Sequence, residues 1–372
     1  MAEPWLLYGA NGYTGRLIAR LAARRGLAPI LAGRSAKRIE PLAAELGLDW
    51  RVAALEDPTA LRRALGDLRA VVHAAGPFAD TAAPMIDACL ATGTHYLDIT
   101  GEIEVFERIF ARRAEAADAG VALVPGVGFD VVPTDCLASL LAGRLPEARE
   151  LALAFHGIGS TSRGTTRTIV RNLPRRGAIR SEGRIVQVAA AWKTREVPFA
   201  DATRSAVTIP WGDVSTAYWS TGIPNVTVYA ALPPRRVRWL RRADRLRGLL
   251  GRGSVQRLLL AWVDRRVAGP DEEQRARGRC QLWGEVRDDA GRSASERLTT
   301  PEGYALTADA AVCAVRRVLA GVPPGAWTPS RAFGVGFLGE LDGVRIGAGT
   351  SVDDAAKPPA APADAPGETN RR

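Results

Sequence analysis

An α/β chain is the fold class that the sequence predicts: a doubly wound parallel sheet first, then a second α+β domain of mainly antiparallel strands. Three observations predict it. Over the first 125 residues short β-rich runs alternate with helical patterns, the grammar of parallel strands joined by crossover helices. From about Gly126 strand patterns follow one another without regular helices between them, as in antiparallel sheets. The length of 372 residues exceeds what one core usually organises, so more than one domain is expected.

Trp5–Tyr8 reads as a buried strand. The helix after it carries Leu17, Ile18, Leu21 and Ala22 on one face, and Gly26 is placed to end it. Pro29–Ala32 is the second strand, and Ser35 stands at the N-cap position of a helix through Leu46. After a short strand at Arg51–Ala54, Asp57-Pro58 joins a capping side chain to a proline at the first helical position. Ala70–Ala74, His95–Ile99 and Val121–Val124 complete six strands. Helices carrying Met85, Ile86, Cys89 and Leu90, then Val105, Phe106, Ile109 and Phe110, lie between them.

Pro133–Leu145 reads as a helix leading away from the sheet. Strands are then expected at Leu151–Phe155, Arg184–Ala189, Arg195–Phe199, Ala206–Ile209 and Val226–Leu232, with a hairpin from Arg279–Val286 and Glu296–Leu298. Thr307 is expected to cap a last helix with Val312, Val315, Val318 and Leu319 on one face and Gly321 after it. The domains expected are 1–130 and 131–347. A tail over 348–372, rich in Ala, Pro and Asp, is expected to lack structure.

Composition narrows the function class. With 47% apolar and 24% charged residues the chain reads as an ordinary soluble protein. No run is apolar enough for a membrane-crossing helix, and no basic n-region or cleavage site marks a secretory signal. Cys89, Cys136, Cys280 and Cys313 form no CxxC pair, and only His73, His95 and His156 accompany them. Free thiols in the cytoplasm and no metal site are therefore expected.

Gly9-Ala-Asn11-Gly12-Tyr13-Thr14-Gly15 follows the first strand directly and opens the first helix. Gly9 permits the tight turn, Gly12 leaves room for a pyrophosphate against the backbone, and Gly15 lets helix and strand pack closely. The helix N-terminus then offers unpaired N–H groups to the phosphates. That combination predicts a Rossmann-type dinucleotide site. Cofactor choice is read at the end of the second strand, where NAD folds place a carboxylate and NADP folds an arginine. Here Gly33 is followed by Arg34 and Ser35, with no carboxylate at the tip, so NADP(H) is expected. The fourth strand runs into Ala75-Gly76-Pro77-Phe78, whose small residues would pass beneath the nicotinamide ribose.

These motifs, with Ala32-Gly-Arg34, His95-Tyr-Leu-Asp-Ile-Thr-Gly-Glu102, Pro125-Gly-Val-Gly-Phe-Asp-Val-Val-Pro-Thr-Asp135 and Gly212-Asp-Val-Ser-Thr-Ala-Tyr-Trp219, resemble the saccharopine dehydrogenase-like oxidoreductases, most closely the trans-acting enoyl reductases of bacterial polyketide-lipid assembly. The resemblance implies an NADP-dependent oxidoreductase reducing a C=C, C=O or C=N bond of a hydrophobic or lipid-like small molecule. Two other readings stay open: a saccharopine-type amino-acid dehydrogenase, and a nucleotide-binding protein at a lipid surface that has lost turnover. The carbonyl chemistry of short-chain dehydrogenases is excluded. It needs Tyr-x-x-x-Lys, and the residues four before Lys37, Lys193 and Lys357 are Gly33, Ala189 and Asp353.

Substrate should lie beyond the carboxyl ends of strands four to six, near His73, Thr100, Glu102, Asp130, Asp135 and Cys136. Glu102, Asp130 and Asp135 are the candidate catalytic acids. Asp130 and Asp135 are equally suited to capping the helix that follows. His95 is expected to be packed or on the surface, Tyr96 in the core, and Tyr218 and Trp219 either in the core or along the cleft.

The net charge of +10 has a location. Residues 235–267 hold eleven arginines against Asp244 and Asp264, a balance of +9. Two helices broken near Gly251–Gly253 would set these among Trp239, Trp262 and seven leucines, the composition of an interfacial helix on anionic lipid. That segment predicts peripheral contact with the inner face of the plasma membrane, or else packing on the domain or on a second subunit of a homodimer. No nucleic-acid module surrounds it, so nucleic acid is not expected as a partner.

Overall fold

Four apolar residues, Trp5–Tyr8, are buried together as the strand β1. A computed structural model describes residues 3–347 and 350–353. The alternation read from the sequence continues as α1 (Tyr13–Arg24), β2 (Ile30–Gly33), α2 (Ala36–Leu46), β3 (Trp50–Val52), α3 (Pro58–Leu65), β4 (Ala70–His73), α4 (Phe78–Thr92), β5 (His95–Asp98), α5 (Ile103–Ala111), α6 (Arg113–Asp118) and β6 (Ala122–Val124). Asp57 caps α3 as expected, accepting hydrogen bonds from the Thr59 and Ala60 amides. Ser35 occupies the N-cap position of α2, but its hydroxyl makes no capping bond. Every strand pair in this sheet is parallel, with β1 between β4 and β2. Apolar helix faces cover both sides of it.

The chain then leaves through α7 (Val132–Arg144) into a ten-stranded mixed sheet. Its elements are β7 (Glu150–His156), α8 (Arg163–Asn172), β8 (Gly177–Ser181), β9 (Arg184–Val188), β10 (Thr194–Pro198), β11 (Thr203–Thr208), α9 (Asp213–Thr221) and β12 (Asn225–Ala230). After them come α10 (Pro234–Arg245), α11 (Arg247–Leu250), α12 (Gly253–Arg266), α13 (Glu272–Arg277), β13 (Arg279–Arg287) and β14 (Ser293–Pro301). Pairing is antiparallel apart from β12 with β7. The helices α7 and α9 cover one face of this sheet with Leu137, Leu141, Val214 and Ala217.

The carboxyl-terminal part departs from the expected division. Helix α14 (Gly303–Ala320) packs on α1 and buries Ala310, Ala311, Val312 and Val315 in the core of the first sheet. The strand β15 (Gly325–Ala326) then adds a seventh, parallel strand beside β6. Residues expected in the second domain therefore complete the first. The physical reason is that α14 is apolar and small nearly all round, which suits burial between a helix and a sheet. Thr307 does not cap this helix. Glu302 does, accepting from the Tyr304 and Ala305 amides, while the Thr307 hydroxyl donates to the Gly303 carbonyl and accepts from the Phe129 amide. Next come α15 (Pro329–Phe333), β16 (Arg345–Ile346) and β17 (Thr350–Asp353). The last two pair with β14, so four residues of the expected tail form a strand. The rest of that tail lies outside the described residues.

Candidate functional site

The turn after β1 is built to leave backbone amides open. Gly9 adopts φ +81°, and its amide donates to the Ala32 carbonyl at 2.8 Å. A Cβ there would stand 2.8 Å from Ala75 Cβ, so glycine lets the turns after β1 and β4 meet. On Gly15 a Cβ would fall 2.3 Å from the Gly9 carbonyl oxygen, inside any tolerable contact. Gly12 is the N-cap of α1 and no side chain caps it, which leaves the first-turn N–H groups for an anion. Asn11 reaches over the end of β2, where a Gly33 Cβ would lie 3.2 Å from its Oδ1. Arg34 is exposed at that strand tip. Among the described residues neither its guanidinium nor the Ser35 hydroxyl has a side-chain partner. These features fit an NADP dinucleotide: amides and Thr14 for the pyrophosphate, Arg34 and Ser35 for the 2′-phosphate.

Two expected cofactor contacts are engaged elsewhere. The Tyr13 hydroxyl donates to the Pro270 carbonyl at 2.5 Å and accepts from Arg275 Nη1 at 2.9 Å, and its ring meets Tyr304 edge-on. Its side chain thus ties the phosphate loop to the second domain, and its amide remains for the ligand. Phe78 turns inward against the His73 ring. Ala75, Gly76 and Pro77 stay accessible at the crest, with a cis peptide between the last two.

The three expected acids separate by what they touch. Glu102 accepts from the Phe78 and Ala79 amides at 2.8 and 3.2 Å, so it holds the start of α4 and is not a free acid. Asp135 is buried within α7. It accepts from the Ser220 hydroxyl and from the Ser330 amide, joining α7 to α9 and α15. It neither caps α7 nor opens to the cleft. Asp130 differs. It sits where the crossover from β6 enters α7, its Oδ2 only 2.7 Å from where a Gly101 Cβ would stand. Among the described residues nothing hydrogen-bonds its carboxyl, which stays partly accessible. The crowded surroundings remove water and push its pKa up to about 6.

The neighbouring titratable groups serve the scaffold. His73 is fully buried, bonded through Nε2 to Thr81, and burial lowers its pKa to about 3. His95 accepts from the Ala122 amide through Nδ1, and Tyr96 donates to Asp98. The Tyr218 ring lies under the Arg180 guanidinium, and Trp219 packs on Phe110, so neither walls the crest. Sequence reasoning missed three groups. Asp98 pins the crossover by accepting from the Thr100 and Gly126 amides. Asp213 is a buried carboxyl near Asp130. Tyr304, within electrostatic reach of Asp130, accepts from the Ser162 amide above the phosphate loop. Ser162 itself carried a signal, a serine before a helix it caps.

Residues 5–124 match the family described as the saccharopine dehydrogenase NADP binding domain. A protein of Mycobacterium leprae named trans-acting enoyl reductase is 37% identical over 152 residues, 39% of this chain and 36% of that protein. A Mycobacterium tuberculosis protein named putative trans-acting enoyl reductase is 34% identical over 169 residues, 41% of this chain and 40% of its own length. The match thus spans well under half the length of these curated relatives. Saccharopine dehydrogenase (L-Glu forming) of Saccharomyces cerevisiae shares the fold at a TM-score of 0.62 and 13% identity, over 93% of this chain and all of that one. The homospermidine synthase of Legionella pneumophila, solved with NAD, does so at 0.60 and 10%, over 93% of this chain and 91% of that one.

Proposed function

We propose that this chain, whose residues 5–124 form a saccharopine dehydrogenase NADP-binding domain, is an NADP(H)-dependent reductase of a hydrophobic, lipid-like substrate, with an enoyl C=C as the bond reduced. The observation that carries the reading is the Asp130 carboxyl, unbonded, partly accessible and with its pKa raised to about 6, on the crossover beside the dinucleotide crest. The bound dinucleotide supplies the hydride, and the protein must position the substrate and deliver one proton. A carboxyl with a pKa near neutrality is suited to give that proton, and no hydrogen bond has to break first. The names of the mycobacterial relatives support the enoyl group as the reacting bond.

Fluorescence titration of the full chain with NADPH and NADH tests the first half. Tighter NADPH binding is expected, and tighter NADH binding would overturn the cofactor assignment. Following NADPH oxidation with long-chain trans-2-enoyl thioesters and with lipid ketones tests the second half. Tight NADPH binding without oxidation by any such acceptor would favour a nucleotide-binding protein without turnover.

A further inference from the structure

The helices α10 and α12 have an inner and an outer face, and among the described residues only the inner one has a partner. Ala243 and Val263 are buried against the domain. Asp264 pairs with Arg167 of α8, and Gln256 donates to the Val170 carbonyl at 3.1 Å. These contacts fix the orientation of α12, while Arg241 of α10 reaches the Ala191 carbonyl and the Thr194 hydroxyl. Outward, Trp239 is 51% exposed, Leu246 54%, Leu258 72% and Trp262 58%. The spacing is helical: Arg235, Trp239, Arg242 and Leu246 make one stripe, and Leu258, Trp262 and Arg265 another. Among the described residues Arg247 alone of the eleven arginines pairs with a carboxylate, Asp244 at 3.6 Å. Large apolar side chains and guanidinium groups without a carboxylate partner are therefore exposed together along each helix.

We infer that this surface docks the protein on an anionic lipid bilayer. The bilayer offers what the face lacks: phosphate charge for the arginines and an interfacial apolar layer for the indoles and leucines. A second copy would suit it poorly, because a two-fold contact sets each patch against itself and so opposes arginine to arginine. A nucleic-acid backbone would satisfy the charge but leave Leu258 and Leu246 in water. No helix among the described residues is long and apolar enough to cross a membrane, so the contact lies along the surface. Docking there would bring the reductase to a substrate that leaves the lipid phase unwillingly, but the inference stands on this face alone.

The test is flotation of the full chain with phosphatidylcholine vesicles, with and without phosphatidylglycerol. Binding is expected only with the anionic lipid and should fall as salt rises. Replacing two exposed arginines, R238Q with R242Q, should weaken partition on the order of 25-fold, at about fivefold per charge. W239S with W262S should weaken it roughly tenfold and abolish a lipid-induced blue shift of tryptophan emission. Both variants should keep the parent affinity for NADPH, which reports folding apart from docking. Equal binding to neutral and anionic vesicles, or none to either, would overturn the inference. So would a salt-resistant dimer, or RNA binding, lost in the same variants.

Discussion

Two glycine-rich turns leave the parallel sheet, one after β1 and one after β6, and they use their polar groups in opposite ways. The turn 9–15 uses three backbone bonds, Gly9 and Ala10 to Ala32 and Gly12 to Gly9, and leaves the first-turn amides of α1 open. The turn 126–135 is bound at nearly every point. Gly126 donates to Asp98, Val127 to the Asp98 carbonyl, Phe129 to Thr307, and Asp135 holds Ser220 and Ser330. Of the two carboxyl groups in the second turn, that of Asp130 alone has no hydrogen-bond partner among the described residues. The contrast teaches that a binding turn is recognised by what it leaves unsatisfied, and a reacting group by being unsatisfied within a turn that is otherwise rigid.

Breaking the leftover group should have the largest effect. Asp130→Asn keeps the shape and removes the titrating proton, so kcat should fall by about 10²–10⁴-fold while NADPH affinity stays constant. The pH profile supplies the sign. The acid works when protonated, so kcat/KM in the parent should be level below about pH 6 and decline above it. In the Asn variant that decline should vanish from the residual rate. A variant that retains both the rate and the limb would assign the proton to another group.

Asp135→Ala should separate its role from that of Asp130, five residues earlier. It strips a buried amide and a buried hydroxyl of their acceptor, costing about 3 kcal/mol in urea unfolding. NADPH affinity at low temperature should not change. At the other turn, Arg34→Ala should weaken NADPH by about 10–100-fold and leave NADH within a factor of about two, because only NADPH carries the 2′-phosphate. Equal losses for both cofactors would place the guanidinium on the adenine or the pyrophosphate instead.

The same contrast explains what was legible in the sequence. The roles expected of Gly9, Gly12, Gly15 and Arg34 rest on local geometry, so spacing within thirty residues displays them. The fate of Asp130 and Asp135 depends on Thr307, Ser220 and Ser330, which arrive from distant parts of the chain, and no local pattern announces them. The return of α14 and β15 to the first sheet was hidden for a related reason. A two-residue strand has no periodicity, and its place beside β6 follows from how α14 packs on α1. Helix α8 buries only Val170 and so offers no apolar stripe of several residues, and α9 carries Tyr218 and Trp219, which are common in strands, without an apolar face.

Asp213 offers the smallest effect and the sharpest sign. Its side chain is fully buried, neither carboxyl oxygen accepts a hydrogen bond among the described residues, and the adjacent Thr134 hydroxyl donates to the Val131 carbonyl instead. Burial, together with the charges of Asp135 and Asp130, raises its pKa well above the ordinary 3.8. The native state therefore keeps a proton that the unfolded chain releases above about pH 4. The stability tied to this group is complete below that value and drains away as pH rises towards the native pKa. Asp213→Asn cannot ionise and removes the drain. The variant should match the parent near pH 4 and exceed it by about 1–2 kcal/mol at pH 8, a gain of a few degrees in Tm. If the variant is instead less stable at pH 8, the carboxyl is ionised and paired in the folded protein. A second active carboxyl would then lie near Asp130, and the singular position given to Asp130 would be lost.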